Sequence, residues 1–260
     1  MMIAAENICF SYGSGGTVFD RFSFGVARGE ILAIIGPSGG GKTTLLYLLA
    51  GLRMPSHGRI QIDGKPLQRP RPGNGLVLQD HGLLPWATVR DNVALGHKIR
   101  RFYGPDGRHS PADFTCDTSL LEEKIAYWLS RLDIADLADK FPAQLSRGQR
   151  QRTAIARTMT LDPDVLLMDE PFSALDAPTS ENLQELVSSL TRESDLTTVI
   201  VTHQIPEAVR LGHHILVVRR GVNRHAHVMA NPAWGETFHQ APDAFNRQCE
   251  KIKALLENLP

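Results

Sequence analysis

Residues 36–43 read Gly36-Pro37-Ser38-Gly39-Gly40-Gly41-Lys42-Thr43. Glycines at these positions let successive backbone N–H groups curl around an anion. Lys42 adds a mobile positive charge, and the hydroxyl of Thr43 is a suitable ligand for Mg²⁺. The stretch matches the Walker A pattern in full and predicts a loop that holds the phosphates of a nucleotide. The predicted nucleotide-binding residues of this loop are Gly36, Pro37, Ser38, Gly39, Gly40, Gly41, Lys42, Thr43 and Thr44.

The segments on both sides of the loop have the patterns of a strand and a helix. Residues 31–35 are all apolar, as in a buried strand, and residues 44–50 continue as a largely apolar helix. Strand, glycine-rich turn and helix in this order are the context in which a Walker A loop works. The sequence therefore predicts a nucleotide-binding α/β unit.

Composition bounds the class of protein. The chain has 260 residues, 42% of them hydrophobic, which is enough for one sizeable α/β core with a smaller inserted lobe. Lys and Arg total 28, and Asp and Glu also total 28, so the formal net charge is zero. No global field recruits nucleic acid or an anionic membrane surface. We expect no nucleic-acid partner.

Cysteines and apolar runs indicate the compartment. The three cysteines, Cys9, Cys116 and Cys249, lie far apart, form no CxxC or zinc spacing, and predict a reducing compartment without a disulfide. No apolar run approaches the roughly 18–20 residues that span a bilayer, and residues 1–6 lack the order of a signal peptide. Any membrane role is expected to be peripheral.

Hydrophobic periodicity separates two kinds of strand. Residues 3–34 alternate between apolar and polar positions around glycine turns, and residues 58–64 add a similar strand, which predicts antiparallel pairing. Four later strands are apolar throughout, as expected when helices cover both faces of a parallel sheet. These strands are residues 76–78, 165–168, 199–201 and 215–218.

The chain between Leu78 and Val165 has a mostly helical pattern, including residues 120–132 and 148–161. This pattern predicts a helical lobe inserted into the core at about residues 82–160. Residues 102–119, rich in Gly, Pro, Asp and Ser, are its least regular part. After Pro242, apolar residues three to four apart predict an amphipathic helix in a tail at about residues 240–260, which we expect to pack on the core.

Two further segments have the chemistry of a nucleotide site. Asp169 and Glu170 follow an apolar strand and form a Walker B arrangement beside the phosphate loop, provided that the two strands are neighbours. Asp169 is expected to hold Mg²⁺ through water, and Glu170 to orient and deprotonate the attacking water. Upstream, Ser146 is placed to cap a helix whose free N–H groups can meet an anion.

With these residues the chain resembles the ATPase subunits of ABC transporters over nearly its whole length. The family signature Leu-Ser-Gly-Gly-Gln stands here as residues 145–149, with Arg147 in place of the first glycine. The resemblance implies an α/β P-loop NTPase core with a parallel sheet, an N-terminal antiparallel β subdomain and an inserted helical lobe. Residues 1–260 then form a single ABC ATPase domain with ATP and Mg²⁺ as cofactors.

The resemblance also assigns roles to residues outside the phosphate loop. Tyr12 matches the aromatic that stacks on adenine, and Gln79 the Q-loop glutamine that contacts Mg²⁺ or water and senses the membrane partner. Asp176 matches the D-loop, and His203 the switch histidine on the γ-phosphate. The implied catalytic residues are Glu170, His203 and Gln79, and the implied metal-site residues are Thr43, Gln79 and Asp169.

Two cassettes of this family bind head to tail, so the signature helix of one faces the ATP held by the other. The resemblance thus implies a second ATPase subunit and adds Ser146, Gly148 and Gln149 to the nucleotide site. Arg147 departs from the pattern, because a guanidinium is tolerable beside phosphate but adds bulk where a small residue usually lies.

Residues 80–93 resemble the importer subfamily that serves nitrate, sulfonate, taurine and bicarbonate. This resemblance implies an integral membrane permease that contacts residues 79–92, an extracytoplasmic solute-binding protein, and a peripheral position on the cytoplasmic face of the cell membrane. Trp86 has two interpretations, an exposed anchor for the permease or a core aromatic of the lobe. Beyond Arg219-Arg220-Gly221 the sequence departs from the usual subfamily tail.

Three other functions stay open at this point. They are an ABC exporter ATPase, a non-transport ABC ATPase of the DNA-repair type, and a binding module without catalysis. The Leu-Pro-Trp stretch at residues 84–86 speaks against the first, and the sequence has no long coiled coil or zinc insertion of the kind that the second generally needs. The third conflicts with an intact set of Lys42, Asp169, Glu170 and His203.

Overall fold

The computed structural model describes residues 1–13, 16–102, 118–173, 175–235 and 241–258. Its strands are β1 (Ile3–Ser11), β2 (Thr17–Val26), β3 (Ile31–Ile35), β4 (His57–Ile62), β5 (Lys65–Pro66), β6 (Asn74–Val77), β7 (Val165–Asp169), β8 (Thr197–Thr202), β9 (His214–Val217) and β10 (His227–Ala230). Its α-helices are α1 (Lys42–Leu49), α2 (Val89–Phe102), α3 (Thr118–Arg131), α4 (Arg147–Met159), α5 (Ala177–Ser194), α6 (Ile205–Leu211) and α7 (Pro242–Asn258).

The N-terminal sheet is antiparallel, in the order β2-β1-β4-β5. Ile3 pairs with Val26 on one side and with Ile62 on the other, so the alternating apolar residues of three strands share one face. That face is buried against residues of α1, including Leu45 and Leu49, in one hydrophobic cluster. The predicted antiparallel subdomain is confirmed for β1, β2 and β4.

The central sheet has the order β10-β9-β3-β8-β7-β6. All of its strands run parallel except β10, which pairs antiparallel with β9. β3, β7 and β8 are buried at every residue, which explains their continuous apolar sequence. The prediction of antiparallel strands up to residue 34 is wrong for β3, because this strand lies between two parallel neighbours.

The strand order also corrects the expected position of the Walker B strand. β3, which leads into the phosphate loop, and β7, which ends at Asp169, are not neighbours, because β8 lies between them. The neighbour of β7 is instead β8, the strand that precedes His203.

Among the described residues, three α-helices lie between β6 and β7 and share one hydrophobic cluster. Val93 of α2, Ile125 and Leu129 of α3, and Ile155 of α4 are fully or almost fully buried in it. These helices fall within the part of the chain that the sequence predicts to be helical. Residues 103–117, most of the stretch with an irregular pattern, lie outside the described residues.

The C-terminal helix α7 packs on the face of the central sheet opposite α1. Phe245 and Ile252 are buried with Ile215 of β9 and Val209 of α6. This contact confirms the packing interpretation of the amphipathic pattern. Within the described ranges, no helix combines the length and apolar character needed to cross a membrane. Cys9 and Cys249 are free thiols, and Cys116 lies outside these ranges.

Candidate active site

The phosphate loop joins β3 to α1 and depends on glycine at two kinds of position. Gly39 and Gly41 have φ values of +79° and +93°, which disfavour any residue with a Cβ. A Cβ on Gly36 would lie 2.3 Å from the carbonyl oxygen of Val218. The backbone can therefore form a tight turn directly against the end of the sheet.

Lys42 is the first residue of α1 and is 7% exposed. Its Nζ donates to the carbonyl oxygens of Gly36 at 2.8 Å and Pro37 at 3.1 Å, so the side chain folds back over the loop. Burial lowers the pKa of Lys42, while the charges of Glu170 and Asp169 oppose that shift. The ammonium group is thus held inside the loop, with two carboxylates close enough to affect it.

Thr43 and Asp169 meet although their strands are separated by β8. Thr43 Oγ1 donates to Asp169 Oδ1 at 3.2 Å. Burial raises the pKa of Asp169, the Thr43 hydrogen bond opposes this rise, and the charge of Glu170 adds to it. Side chains at the carboxyl ends of parallel strands reach the same edge of the sheet, so one intervening strand does not keep them apart.

Glu170 has an unusual backbone conformation directly after β7. Its φ is +45°, a left-handed value that non-glycine residues seldom adopt, and its N–H donates to the carbonyl oxygen of Val201 at 2.9 Å. The side chain turns toward two polar neighbours, because Oε2 lies 3.1 Å from His203 Nδ1 and 3.5 Å from Gln79 Nε2. The three residues assigned catalytic roles therefore meet at a single carboxylate oxygen.

The turn that carries His203 is held by a pair that sequence analysis does not identify. Thr202 Oγ1 donates to the carboxylate of Glu207 and accepts from the backbone N–H of Gln204 at 3.0 Å. Glu207 is 6% exposed, and burial raises its pKa. An acidic residue four positions after His203, in the first turn of α6, is the available sequence signal.

Ser146 caps α4 as predicted. Its Oγ accepts from the N–H of Gln149 at 3.2 Å, and Gln149 Oε1 accepts from the N–H of Ser146 at 2.9 Å, which forms a complete capping box. Gly148 is buried, and a Cβ there would lie 2.7 Å from Thr179 Cγ2 of α5. Arg147 is exposed beside it. Among the described residues, no hydrogen bond joins this segment to the phosphate loop.

Tyr12 lies beside the start of α1. Its hydroxyl is 3.1 Å from Thr44 Oγ1, the residue is 43% exposed, and the ring of Phe10 meets its ring edge-on at 4.9 Å. The guanidinium of Arg53 lies 5.9 Å from the ring centroid. The structure thus brings Tyr12 and Thr44 together and leaves much of the aromatic surface accessible.

Asp176 is the N-cap of α5 and accepts from Thr179 through its backbone N–H at 3.2 Å and its hydroxyl at 3.0 Å. The side-chain bond and then the backbone bond from Thr179 lower the pKa of Asp176. Because Gly148 approaches the same Thr179, the D-loop and the signature helix touch within one chain. Ala174 lies outside the described residues.

The Q-loop is tied to the signature helix by Arg157, a residue that sequence analysis leaves without a role. Arg157 donates to the carbonyl oxygens of His81 at 2.7 Å and Gly82 at 2.6 Å. His81 has a φ of +68°, so the loop makes a sharp left-handed turn there. A displacement of α4 is therefore coupled to the segment next to Gln79.

Beyond the Q-loop, Asn92 fixes the loop that carries Trp86. The side chain of Asn92 is fully buried, donates to the carbonyl oxygens of Leu84 at 3.1 Å and Ala87 at 3.0 Å, and accepts from Leu84 N at 2.8 Å. Trp86 is 74% exposed. The core-aromatic interpretation of Trp86 is therefore wrong, since a rigid loop presents the indole to solvent.

The site combines a strand, a phosphate loop and a helix with an Asp-Glu pair at the end of a second buried strand. This combination defines a P-loop nucleoside triphosphatase. Within that class the chain belongs to the ABC transporter family, because the family model described as "ABC transporter" matches residues 19–173. The predicted family and α/β fold class are confirmed, and the chain is an ATP-binding ATPase cassette.

Named relatives match most of the chain. The taurine import ATP-binding protein TauB of Pseudomonas aeruginosa is 39% identical over 219 residues, which are 83% of this chain and 78% of TauB. Relatives from Synechococcus elongatus and Bacillus cereus carry the names of bicarbonate transport, nitrate import and aliphatic sulfonates import ATP-binding proteins, at 35–38% identity.

Solved structures agree with this family. CbiO1 of Clostridium perfringens, described as part of the ABC transporter complex cbiONQ, has a TM-score of 0.76 and 26% identity over 98% of both chains. The cassette MJ0796, solved as a dimer in a post-hydrolysis state bound to ADP and phosphate, has a TM-score of 0.72 and 26% identity over 88% of this chain and 98% of that chain.

Proposed function

We propose that this chain hydrolyses ATP as the cassette of an importer that takes up a small anionic or zwitterionic solute such as nitrate, a sulfonate, taurine or bicarbonate. The observation that carries the catalytic part is the meeting of Gln79, Glu170 and His203 at one carboxylate oxygen beside the phosphate loop. The names of the relatives support the solute class, because no residue of a cassette is expected to touch the solute itself.

In this proposal Glu170 accepts the proton of the attacking water, and His203 and Gln79 orient that carboxylate. His203 also contacts the γ-phosphate, and Gln79 contacts Mg²⁺ or water. Lys42 neutralises the β- and γ-phosphate oxygens from within the loop, where two backbone carbonyls already direct its ammonium group. Tyr12 stacks on adenine, and its bond to Thr44 places the ring next to the phosphate loop.

The residues present fit Mg²⁺. Thr43 and Asp169 are already joined at 3.2 Å, and Gln79, whose Nε2 lies 3.5 Å from Glu170, is a further oxygen ligand through its side-chain amide in this proposal. Within the described residues no cluster of three or more His, Cys, Asp or Glu forms a self-contained metal site, which suits an ion held largely by phosphate and water. Bound there, Mg²⁺ would neutralise charge on the phosphate oxygens.

The second half of the site comes from another cassette. Ser146 and Gln149 cap each other at the start of α4, and this helix N-terminus, with Gly148 in its first turn, is proposed to face the nucleotide of the partner. Asp176 lies next to this segment through Thr179, so the D-loop would adjust together with the signature helix. ATP would thereby complete the interface of a head-to-tail dimer, and hydrolysis would reopen it.

The permease is proposed to bind residues 79–92. Trp86 is exposed on a loop that Asn92 holds rigid, which is the arrangement of an aromatic anchor for a helix of a partner. In the complete importer we place the chain peripherally on the cytoplasmic face of the cell membrane, with a solute-binding protein outside. We also propose that residues 1–260 form one domain with a helical subdomain at about 82–160 and a tail at about 240–260.

The test is steady-state Mg-ATPase activity of the purified chain as a function of protein concentration, with Glu170→Gln as the blank. A composite site predicts that activity rises faster than linearly and vanishes in the variant. Linear activity would contradict the dimeric site, and activity that persists in Glu170→Gln would contradict the assigned base. Coexpression with each candidate permease, followed by solute uptake into vesicles, tests the importer assignment.

A further inference from the structure

We infer that Asn223 is a positioning residue that fixes the peptide between Gly40 and Gly41 and thereby sets the affinity of the phosphate loop for ATP. The inference rests on the proposed function of that loop. Asn223 lies in the turn between β9 and β10, and its side chain is 2% exposed. This turn belongs to the part of the chain where the sequence departs from its subfamily, so the resemblance assigns it no role.

The side-chain amide of Asn223 joins three segments from one buried position. Nδ2 donates to the carbonyl oxygens of Gly40 and Arg219, both at 3.2 Å, and lies 3.4 Å from Val18 O. Oδ1 accepts from the N–H of Arg219 at 2.9 Å. The backbone N–H of Asn223 donates to Val18 O at 2.9 Å. The phosphate loop is thus tied both to the end of the central sheet and to β2.

The contact with Gly40 acts on the loop because a peptide unit is planar and trans. When the carbonyl oxygen of Gly40 points to Asn223, the N–H of Gly41 must point to the opposite side of the chain. Gly41 is the N-cap of α1, where backbone donors have no acceptor within the helix. Asn223 therefore directs a donor that the loop offers to a phosphate.

The loop needs such a restraint because Gly39, Gly40 and Gly41 are consecutive. Peptides between glycines meet little steric resistance to rotation, so three in a row leave this turn poorly defined on its own. Gly40 N also donates to Pro37 O at 3.1 Å, which fixes the other peptide of Gly40. The three glycines have no side chains that could restrain the loop. The side chain of Asn223 restrains it from a neighbouring segment instead.

Gly40 offers a second way to restrain the turn. Its φ lies outside the left-handed region, and an added Cβ would lie 3.0 Å from Pro37 O and 3.2 Å from Arg219 O. Alanine at this position would need shifts of a few tenths of an ångström, and it would limit backbone rotation without any help from Asn223.

The experiment measures the dissociation constant of Mg-ATP for the full chain by titration calorimetry. Loss of one hydrogen bond and of loop order in Asn223→Ala should weaken ATP binding about tenfold. The matched control is Asn231→Ala. Asn231 is 5% exposed and donates to Val209 O at 2.6 Å and Gly212 O at 2.7 Å, away from the loop. This control should lower the melting temperature and leave ATP affinity unchanged.

The double variant Asn223→Ala with Gly40→Ala separates positioning from stability. It should bind ATP more tightly than Asn223→Ala alone, and Gly40→Ala alone measures the effect of the added methyl group by itself. Unchanged affinity in Asn223→Ala, equal loss in Asn231→Ala, or no recovery in the double variant would each overturn the inference. If the wild-type chain binds ATP no better than Lys42→Ala, the loop does not bind ATP. That result contradicts the proposed function, and the role of Asn223, which depends on it, is contradicted as well.

Discussion

His203 Nδ1 lies 3.1 Å from Glu170 Oε2, across the ends of two adjacent parallel strands. The histidine is half exposed and the glutamate is mostly buried, so the pair forms the boundary between the sheet and solvent. Gln79 reaches the same oxygen at 3.5 Å. The carboxylate is thus held from two sides, the arrangement expected of the general base that we propose.

Glu170→Gln should keep ATP binding and lower turnover by at least about 100-fold, because an amide cannot accept the proton of the attacking water. Without hydrolysis, ATP should trap a stable dimer. The measurements are ATP turnover and gel filtration with and without Mg-ATP. Glu185→Gln, an exposed change on α5, is the control and should behave as wild type. Parental turnover in Glu170→Gln would assign the base elsewhere.

Arg147→Gly should raise turnover about tenfold, the effect of relieving roughly 1.4 kcal/mol of overpacking in the closed dimer. The prediction follows from the exposed position of Arg147 next to the capped start of α4. Arg147→Lys keeps a cation and a long side chain and should stay close to wild type. If the glycine variant is slower instead, the guanidinium assists the phosphate of the partner, and its charge outweighs its bulk.

Trp86→Ala should change the free energy of unfolding by less than about 0.5 kcal/mol, because the indole is 74% exposed. Copurification with the permease should be lost, since a central aromatic anchor carries a large part of an interface energy. Tyr127→Ala is matched, because Tyr127 is 57% exposed on α3, outside residues 79–92. Retained copurification in Trp86→Ala would place the permease contact on another surface.

Glu207→Gln should change how stability depends on pH. Burial raises the pKa of Glu207 in the folded chain above its ordinary value of 4.5. The folded state then holds this proton more tightly than the unfolded state, so the contribution is complete below pH 4.5 and is lost as pH rises through the folded pKa. Glutamine can still accept from Thr202 and does not titrate.

Urea unfolding at several values between pH 4 and pH 8 checks this prediction. The stability of Glu207→Gln relative to wild type should grow with pH, by about 1.4 kcal/mol for each unit that separates the two pKa values. Glu185→Gln again serves as the control and should follow the wild-type curve. A difference that stays constant with pH would mean that the pKa of Glu207 is the same in the folded and unfolded states.

Local chemistry made several features predictable from sequence. Left-handed glycines beside a lysine define the phosphate loop, and an apolar run that ends in two carboxylates defines a buried strand with an exposed site at its end. Ser146 and Gln149 are three residues apart and form a capping box within one turn. Each of these signals depends on neighbours along the chain, so no knowledge of the tertiary fold is needed.

The order of the strands is different, because it depends on residues far apart in sequence. Asp169 reaches Thr43 across an intervening strand, whereas the sequence prediction placed the two residues together only if β3 and β7 were neighbours. The exposure of Trp86 follows from the buried hydrogen bonds of Asn92, which are invisible in a pattern of apolar residues.

By itself, the sequence determined the phosphate loop, the acidic end of β7, the capped signature helix and the family, because each is written in a short contiguous stretch. Only the tertiary structure decided that Gln79 and His203 meet at one oxygen of Glu170, and that Asn223 lies against Gly40 from 183 residues away. Such contacts form when folding brings together residues that are far apart along the chain. No local sequence pattern indicates that these residues are partners.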